Sequence, residues 1–250
     1  MVSIVKINLL KKRIAIAFCL LIVIGSNRAV AQSTTIMTDF LPTMNMINLQ
    51  NHVLWNPYQK KTTPNKARLT VRPNVVNQLS YTPSLVRRKQ NLAQFVARSR
   101  AVDPEGSNQL AQVFASNDVI LAASKAMAKF GLRSDNLADV YALYWSSTWL
   151  ASVGSSATPT RAQFAKVKTQ SGAALAAVPT VIGASDQQKQ QFAEALLVQT
   201  LLIEASVEKA QHNPAQRKEI ANAVLQGARA MGLDLATMTL TNEGFTLIKQ

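Results

Sequence analysis

From Ser84 onward the sequence is punctuated for helices, and this constrains the fold more than any other feature. Leu85, Leu92, Phe95, Val96, Ser99 and Val102 share one side of a first helix, which Asp103–Pro104 should end. Residues Asn108 to Ala115 suit a short second helix. Asn117 opens a third, with Ile120, Ala123, Met127 and Phe130 facing inward and Gly131 as its stop. Ser134 is placed to cap a fourth. Thr158–Pro159 reads as the start of the next, with Phe164, Val167, Ser171, Ala174 and Leu175 inward and Pro179 just beyond its end. Ser185 and Asp186 begin the longest helix, which runs to about Gln211. Asn213-Pro214-Ala215-Gln216 combines a cap, a first-position proline and a capping-box spacing, and that last helix should stop at Gly232. No alternating strand pattern stands out after Ser84. The expectation is an all-α, bundle-like domain of about six or seven helices over 81–250, preceded by an extended N-terminal arm.

The segments before that domain set its compartment. Residues Met1–Arg13 carry Lys6, Lys11, Lys12 and Arg13 without an acid, followed by the apolar run Ile14–Ile24 and an Ala-Val-Ala site before Gln32. That order is the order of a secretory signal peptide over 1–31, and the apolar run is short for a membrane span. The expected product is exported, to the periplasm or beyond, with no transmembrane span after cleavage. The chain's one cysteine, Cys19, lies in the leader. The processed chain then has no disulfide, no thiolate metal site and no cysteine nucleophile, so an apolar core must hold it together.

The net charge of +14 is unevenly spread. Residues 32–100 hold ten Lys and Arg against the single acid Asp39, whereas 101–250 hold twelve of each sign. Residues 32–80, rich in Pro, Asn and Thr, read as a basic arm or linker that meets something anionic. Arg87, Arg88, Lys89, Arg98 and Arg100 extend the basic character onto the first helix. They are candidates for contact with an anionic envelope component, the alternative being a solvated helix face. Nucleic acid is a poor partner for an exported chain without a recognition motif.

The stretch from Leu137 to Trp149 gathers Tyr141, Tyr144, Trp145 and Trp149. On a helical wheel they fall with Leu137, Ala138 and Thr148 in an arc of about 140°, with Asp139 and Ser146 opposite. This reads as a core-facing stripe with a polar back and makes the helix the central strut. The alternative is a groove in which the four aromatic side chains hold an apolar or sugar ligand.

Catalytic signals are sparse. The two histidines are His52, in the arm, and His212, in a turn, so neither Ser/His/Asp catalysis nor a His-rich metal site is supported. Neither a metal nor another cofactor is expected. Ser206-Val207-Glu208-Lys209 has Ser-x-x-Lys spacing without companion motifs, and the Gly227/Gly232 pair lacks the Lys-Ser/Thr of a phosphate loop. Three carboxylates on the longest helix, Glu194, Glu204 and Glu208, lie on one side of its wheel. They suit acid/base work or a bound cation, or else the solvated edge of an amphipathic helix. Leu197 and Leu201 interrupt that edge and suggest that something packs there.

Several segments together, Gly131-Leu132-Arg133-Ser134-Asp135-Asn136-Leu137-Ala138-Asp139, Glu194-Ala195-Leu196-Leu197, Gly232-Leu233-Asp234-Leu235 and Leu240–Phe245, resemble a family of uncharacterised exported bacterial proteins with an all-helical domain. The resemblance spans roughly Tyr81 to Phe245. It implies export and the domain boundary, and brings no activity or catalytic residue. The sequence therefore supports an exported helical interaction domain, more a binder than an enzyme, whose basic arm meets an envelope component or a partner protein. The alternative is a small-ligand binding protein, or an uncommon hydrolase, using the aromatic groove with the helix carboxylates.

Overall fold

The computed structural model describes residues 77–101, 103–230 and 233–248; the leader, most of the arm and Val102 lie outside the described residues. Among the described residues eight helices follow one another: α1 (Leu85–Ser99), α2 (Pro104–Ser116), α3 (Val119–Ala128), α4 (Leu137–Ser152), α5 (Arg161–Ala176), the one-turn α6 (Pro179–Ile182), α7 (Asp186–Lys209) and α8 (Pro214–Ala230). The fold is all-α in character, as its punctuation predicts. It closes on a 3₁₀ turn (Leu235–Thr237) and an antiparallel hairpin of β1 (Met238–Thr241) and β2 (Gly244–Leu247).

The helix ends show which side chains cap. Ser84 caps α1 and Ser185 caps α7, the latter in a reciprocal capping box with Gln188. Four expected starts move by a few residues. Asp103 does not merely end α1; its carboxylate accepts from Gly106 N–H and starts α2 at Pro104. Asp118, not Asn117, caps α3, because its carboxylate reaches Leu121 N–H at 2.9 Å. Asn136, not Ser134, caps α4 by accepting from Ala138 and Asp139 N–H. Ser134 Oγ donates instead to Ser124 Oγ. Thr160 caps α5 in a capping box with Gln163, which leaves Pro159 outside the helix. In each case the side chain with an acceptor facing the free N–H groups wins over the residue nearest the change of pattern.

The central strut is α4, packed by α7, α5 and α8. Its expected polar back is absent: Asp139 and Ser146 are both fully buried, like Leu137, Val140 and Tyr141. Neighbouring helices cover the side of α4 that carries Asp139 and Ser146, so its polar residues lie inside the fold rather than in solvent. Asp139 meets Lys168 of α5, Oδ1 to Nζ 2.6 Å. Gly172 of α5 faces Ala138 of α4, where a β-carbon would make an ordinary contact at 3.5 Å from Ala138 Cβ. On α1 the inner face is Asn91, Leu92, Phe95, Val96 and Ser99; Leu85 is 67 % exposed, contrary to its expected inward place.

The hairpin corrects the expectation of no strands. Its register pairs Met238 with Leu247 and Leu240 with Phe245. Gly244 carries φ +91 at the turn, and a β-carbon there would lie 2.5 Å from Gln170 Oε1. That same oxygen accepts from Phe245 N–H, and Gln170 Nε2 donates to Phe245 O, which ties the hairpin to α5.

Candidate functional site: an apolar cleft with a carboxylate edge

The aromatic side chains of α4 are packed away. Tyr141, Tyr144 and Trp145 are buried, and Trp149 is half-buried. Trp145 stacks on Phe245 of β2 with ring centroids 4.4 Å apart and an interplanar angle of 16°. Trp149 meets the edge of the same ring, and its indole N–H donates to Met238 O. The hairpin thus covers the face on which a ligand groove had been the alternative. Burial pushes the Tyr144 phenol well above its ordinary range.

The helix carboxylates separate into two environments. Glu194 is buried and accepts from Asn91 Nδ2 at 2.6 Å, Gln190 Nε2 at 2.9 Å and Arg88 Nε at 3.2 Å. Arg88 also reaches Asp118 at 2.7 Å, so this network clamps α1 to α7 and to the start of α3. The basic residues of α1 therefore do not form one outward face. Arg88 is turned inward, and Arg87 donates to Gln190 Oε1 and to Thr82 O. Lys89 and Arg100 are exposed, Arg100 donating to Asn108 Oδ1, while Arg98 is half-buried.

Glu204 and Glu208 lie further along α7 and border a cleft of about 180 Å³. One wall is the α4 face with Leu143, Ser147, Leu150 and Ala151, at helical spacing. A second is the α7 face with Leu197, Thr200, Leu201 and Glu204. Ala123, Ala126 and Met127 of α3, with Phe130 just beyond it and Phe164 of α5, complete the apolar lining. Alanines at 123, 126, 151 and 205 leave the room, because larger side chains at those positions would fill it.

The outer wall is residues 155–159, and the end of α4 sets it in place. Gly154 adopts φ +63. Its N–H donates to Ala151 O, and Ser155 N–H donates to Leu150 O at 2.8 Å. These two bonds are the Schellman pattern, which turns the chain sharply across the helix end. Pro159 then precedes the Thr160 cap and Phe164 follows in the first turn, at the two hydrophobic-staple positions. Both line the cleft.

A hydrogen-bonded polar pair joins α4 to α7 at the cleft's edge. Ser147, itself 8 % exposed, donates from Oγ to Glu204 Oε1 at 2.8 Å. Among the described residues, Glu204 and Glu208 are the charged groups in the lining, and no Lys or Arg lies there. The sequence pointed to this edge through Leu197 and Leu201, which interrupt the carboxylate side of α7. Ser147 and the 155–159 wall gave no sequence signal of their own.

Among the described residues no group of histidine, cysteine and carboxylate side chains is arranged to hold a metal, and no helix is long and apolar enough to cross a membrane. His212 is exposed in the turn after α7. The model of a family of unknown function, DUF6683, matches residues 10–248. The match extends past the resemblance at Tyr81–Phe245 to include the arm. No curated protein and no solved structure matches the chain.

Proposed function

The chain belongs to this family of unknown function, and from that premise we propose that it is an exported binding module whose helical domain holds a small, mainly apolar ligand in the cleft between α3, α4, α5 and α7. The observation that carries this reading is the cleft itself: it is open, walled by aliphatic and phenylalanine side chains, and edged by one hydrogen-bonded polar pair. Ligand sites have this composition, an apolar body with few convergent polar groups. A cavity of about 150 Å³ lined by similar side chains suffices for a benzene-sized ligand. The leader supports export, and the basic arm supports contact with an anionic envelope component or a partner protein. Among the described residues that line the cleft there is no histidine or lysine to serve Ser147 as a base, which favours binding over hydrolysis.

A second reading has its own observation. Leu85 and Val86 are 67 % and 68 % exposed at the start of α1, where the arm joins the domain. Together with exposed Lys89 they make a small apolar and basic surface suited to a partner protein.

The test of the cleft is saturable binding of the neutral dye N-phenyl-1-naphthylamine, read by its fluorescence. The expected result is binding that Ala205→Trp, which fills the cleft from its rim, abolishes without changing the circular dichroism. Absence of binding, or binding indifferent to Ala205→Trp, contradicts the reading.

A further inference from the structure

We propose that the exposed start of α1, with the basic arm that leads into it, docks on a bilayer of anionic phospholipid. The inference rests on the reading of the arm as an envelope contact and is independent of the cleft. Leu85 and Val86 stand exposed in the first turn of α1. With Leu85 at zero on the helical wheel, Lys89, Arg100, Ala93, Val86 and Ala97 follow within an arc of about 120°, and all of them are exposed. That side of the helix is an apolar tip, two cations and short alanine side chains between them, and α1 contains no acid. The opposite face is fixed: Leu92, Phe95 and Val96 are buried, and the Arg88–Glu194 pair ties the helix to α7. Leu85 and Val86 therefore cannot turn inward without breaking that clamp. The chain that runs through this tip is of one sign. From Lys60 to Arg100 it holds ten Lys and Arg, and no acid stands between Asp39 and Asp103. Of the acids that meet this end of α1 in the fold, Asp118 pairs with Arg88 and Asp186 accepts from Thr82 N–H. Each Lys or Arg brought to a negatively charged membrane strengthens binding about fivefold, and apolar side chains that enter the headgroup boundary add to it. Protein interfaces deplete lysine at their centres and match charges in register, whereas a plane of headgroups asks for no register.

The experiment floats the processed chain, from Gln32 onward, with vesicles of phosphatidylcholine alone or of phosphatidylcholine and phosphatidylglycerol mixed three to one. The expected result is partition into the mixed vesicles at least about tenfold stronger than into the neutral ones, and weakened by added salt. Leu85→Ser/Val86→Ser should lower that partition by about tenfold with an unchanged circular dichroism spectrum. Lys89→Gln, on an exposed side chain, should lower it by about fivefold. Equal partition into the two kinds of vesicle overturns the proposal. So does an absence of flotation, which leaves the tip of α1 to a protein partner. Partition that survives both α1 variants assigns the contact to the arm alone and overturns the docking surface. Dye binding by the same samples reads the cleft separately, so the failure of either reading is seen apart from the other.

Discussion

At the scale of single residues, two buried carboxylates do structural work that their positions in the sequence conceal. Glu194 accepts three side-chain hydrogen bonds from two helices. Removing it leaves Arg88 with Asp118 alone and orphans the Asn91 amide. Breaking a buried pair from one side is costly, so Glu194→Ala should lower unfolding stability in urea by about 3 kcal/mol. A loss under about 1 kcal/mol would contradict the clamp. The wheel placed Glu194 correctly with Glu204 and Glu208 in angle. It carries no axial information: at 1.5 Å per residue, Glu194 and Glu204 are about 15 Å apart along α7. One therefore meets α1 and the other opens on the cleft.

Asp139 is the second such residue. Burial pushes its carboxyl above the ordinary carboxylate range, and the Lys168 ammonium pulls the other way without prevailing. The folded chain then holds this proton to a higher pH than the unfolded chain does. Its contribution to stability is greatest at low pH and is lost as pH rises from the unfolded value, about 3.9, through the raised folded one. Asp139→Asn removes that slope. Urea midpoints from pH 4 to 7 should diverge with rising pH in favour of the variant. Parallel midpoints would mean that Lys168 holds the charge without cost.

At the scale of elements, the helices were legible and the hairpin was not. The starts at Ser185 and Asn213 and the stop at Gly131 were readable because each acts within its own turn. Where two candidates stood side by side, as with Asn117 and Asp118, the choice depended on a side-chain direction that spacing does not give. The hairpin has an alternating Met-Thr-Leu-Thr strand and a glycine turn, but its strands are four residues each. A two-stranded hairpin of that length is not stable alone. It exists here because Phe245 stacks on Trp145 and Gln170 pairs with its backbone, contacts distant in sequence. Phe245→Ala should therefore cost about 3 kcal/mol and uncover the α4 aromatics. In a Trp55→Phe background, where Trp145 and Trp149 alone report, emission should shift to the red and become accessible to acrylamide. Unchanged emission would mean that the hairpin is not their cover.

At the scale of the whole molecule, the sequence supplied the helical class, the central place of the Leu137–Trp149 helix and one edge of the site. It favoured a core for the aromatic stripe but kept a groove as the alternative, because an aromatic stripe is compatible with both. What decides between them is which element lies on the stripe, and that is a property of the chain's return path. The hairpin lies on the stripe. The opposite flank, where α4 and α7 carry small side chains and the Gly154 turn throws a loop outward, stays open. The basic residues of α1 likewise divide between a buried clamp and solvent.

The most direct measurement is an N-phenyl-1-naphthylamine titration of the uniformly ¹⁵N-labelled protein followed by amide chemical shifts. Saturable shifts confined to Ser147, Leu150, Ala151, the 155–159 wall, Leu201 and Glu204 are the expected result, and they would place the ligand in the cleft. Shifts gathered at Leu85–Lys89, or none that saturate, would contradict the claim that this cleft is what the domain binds with.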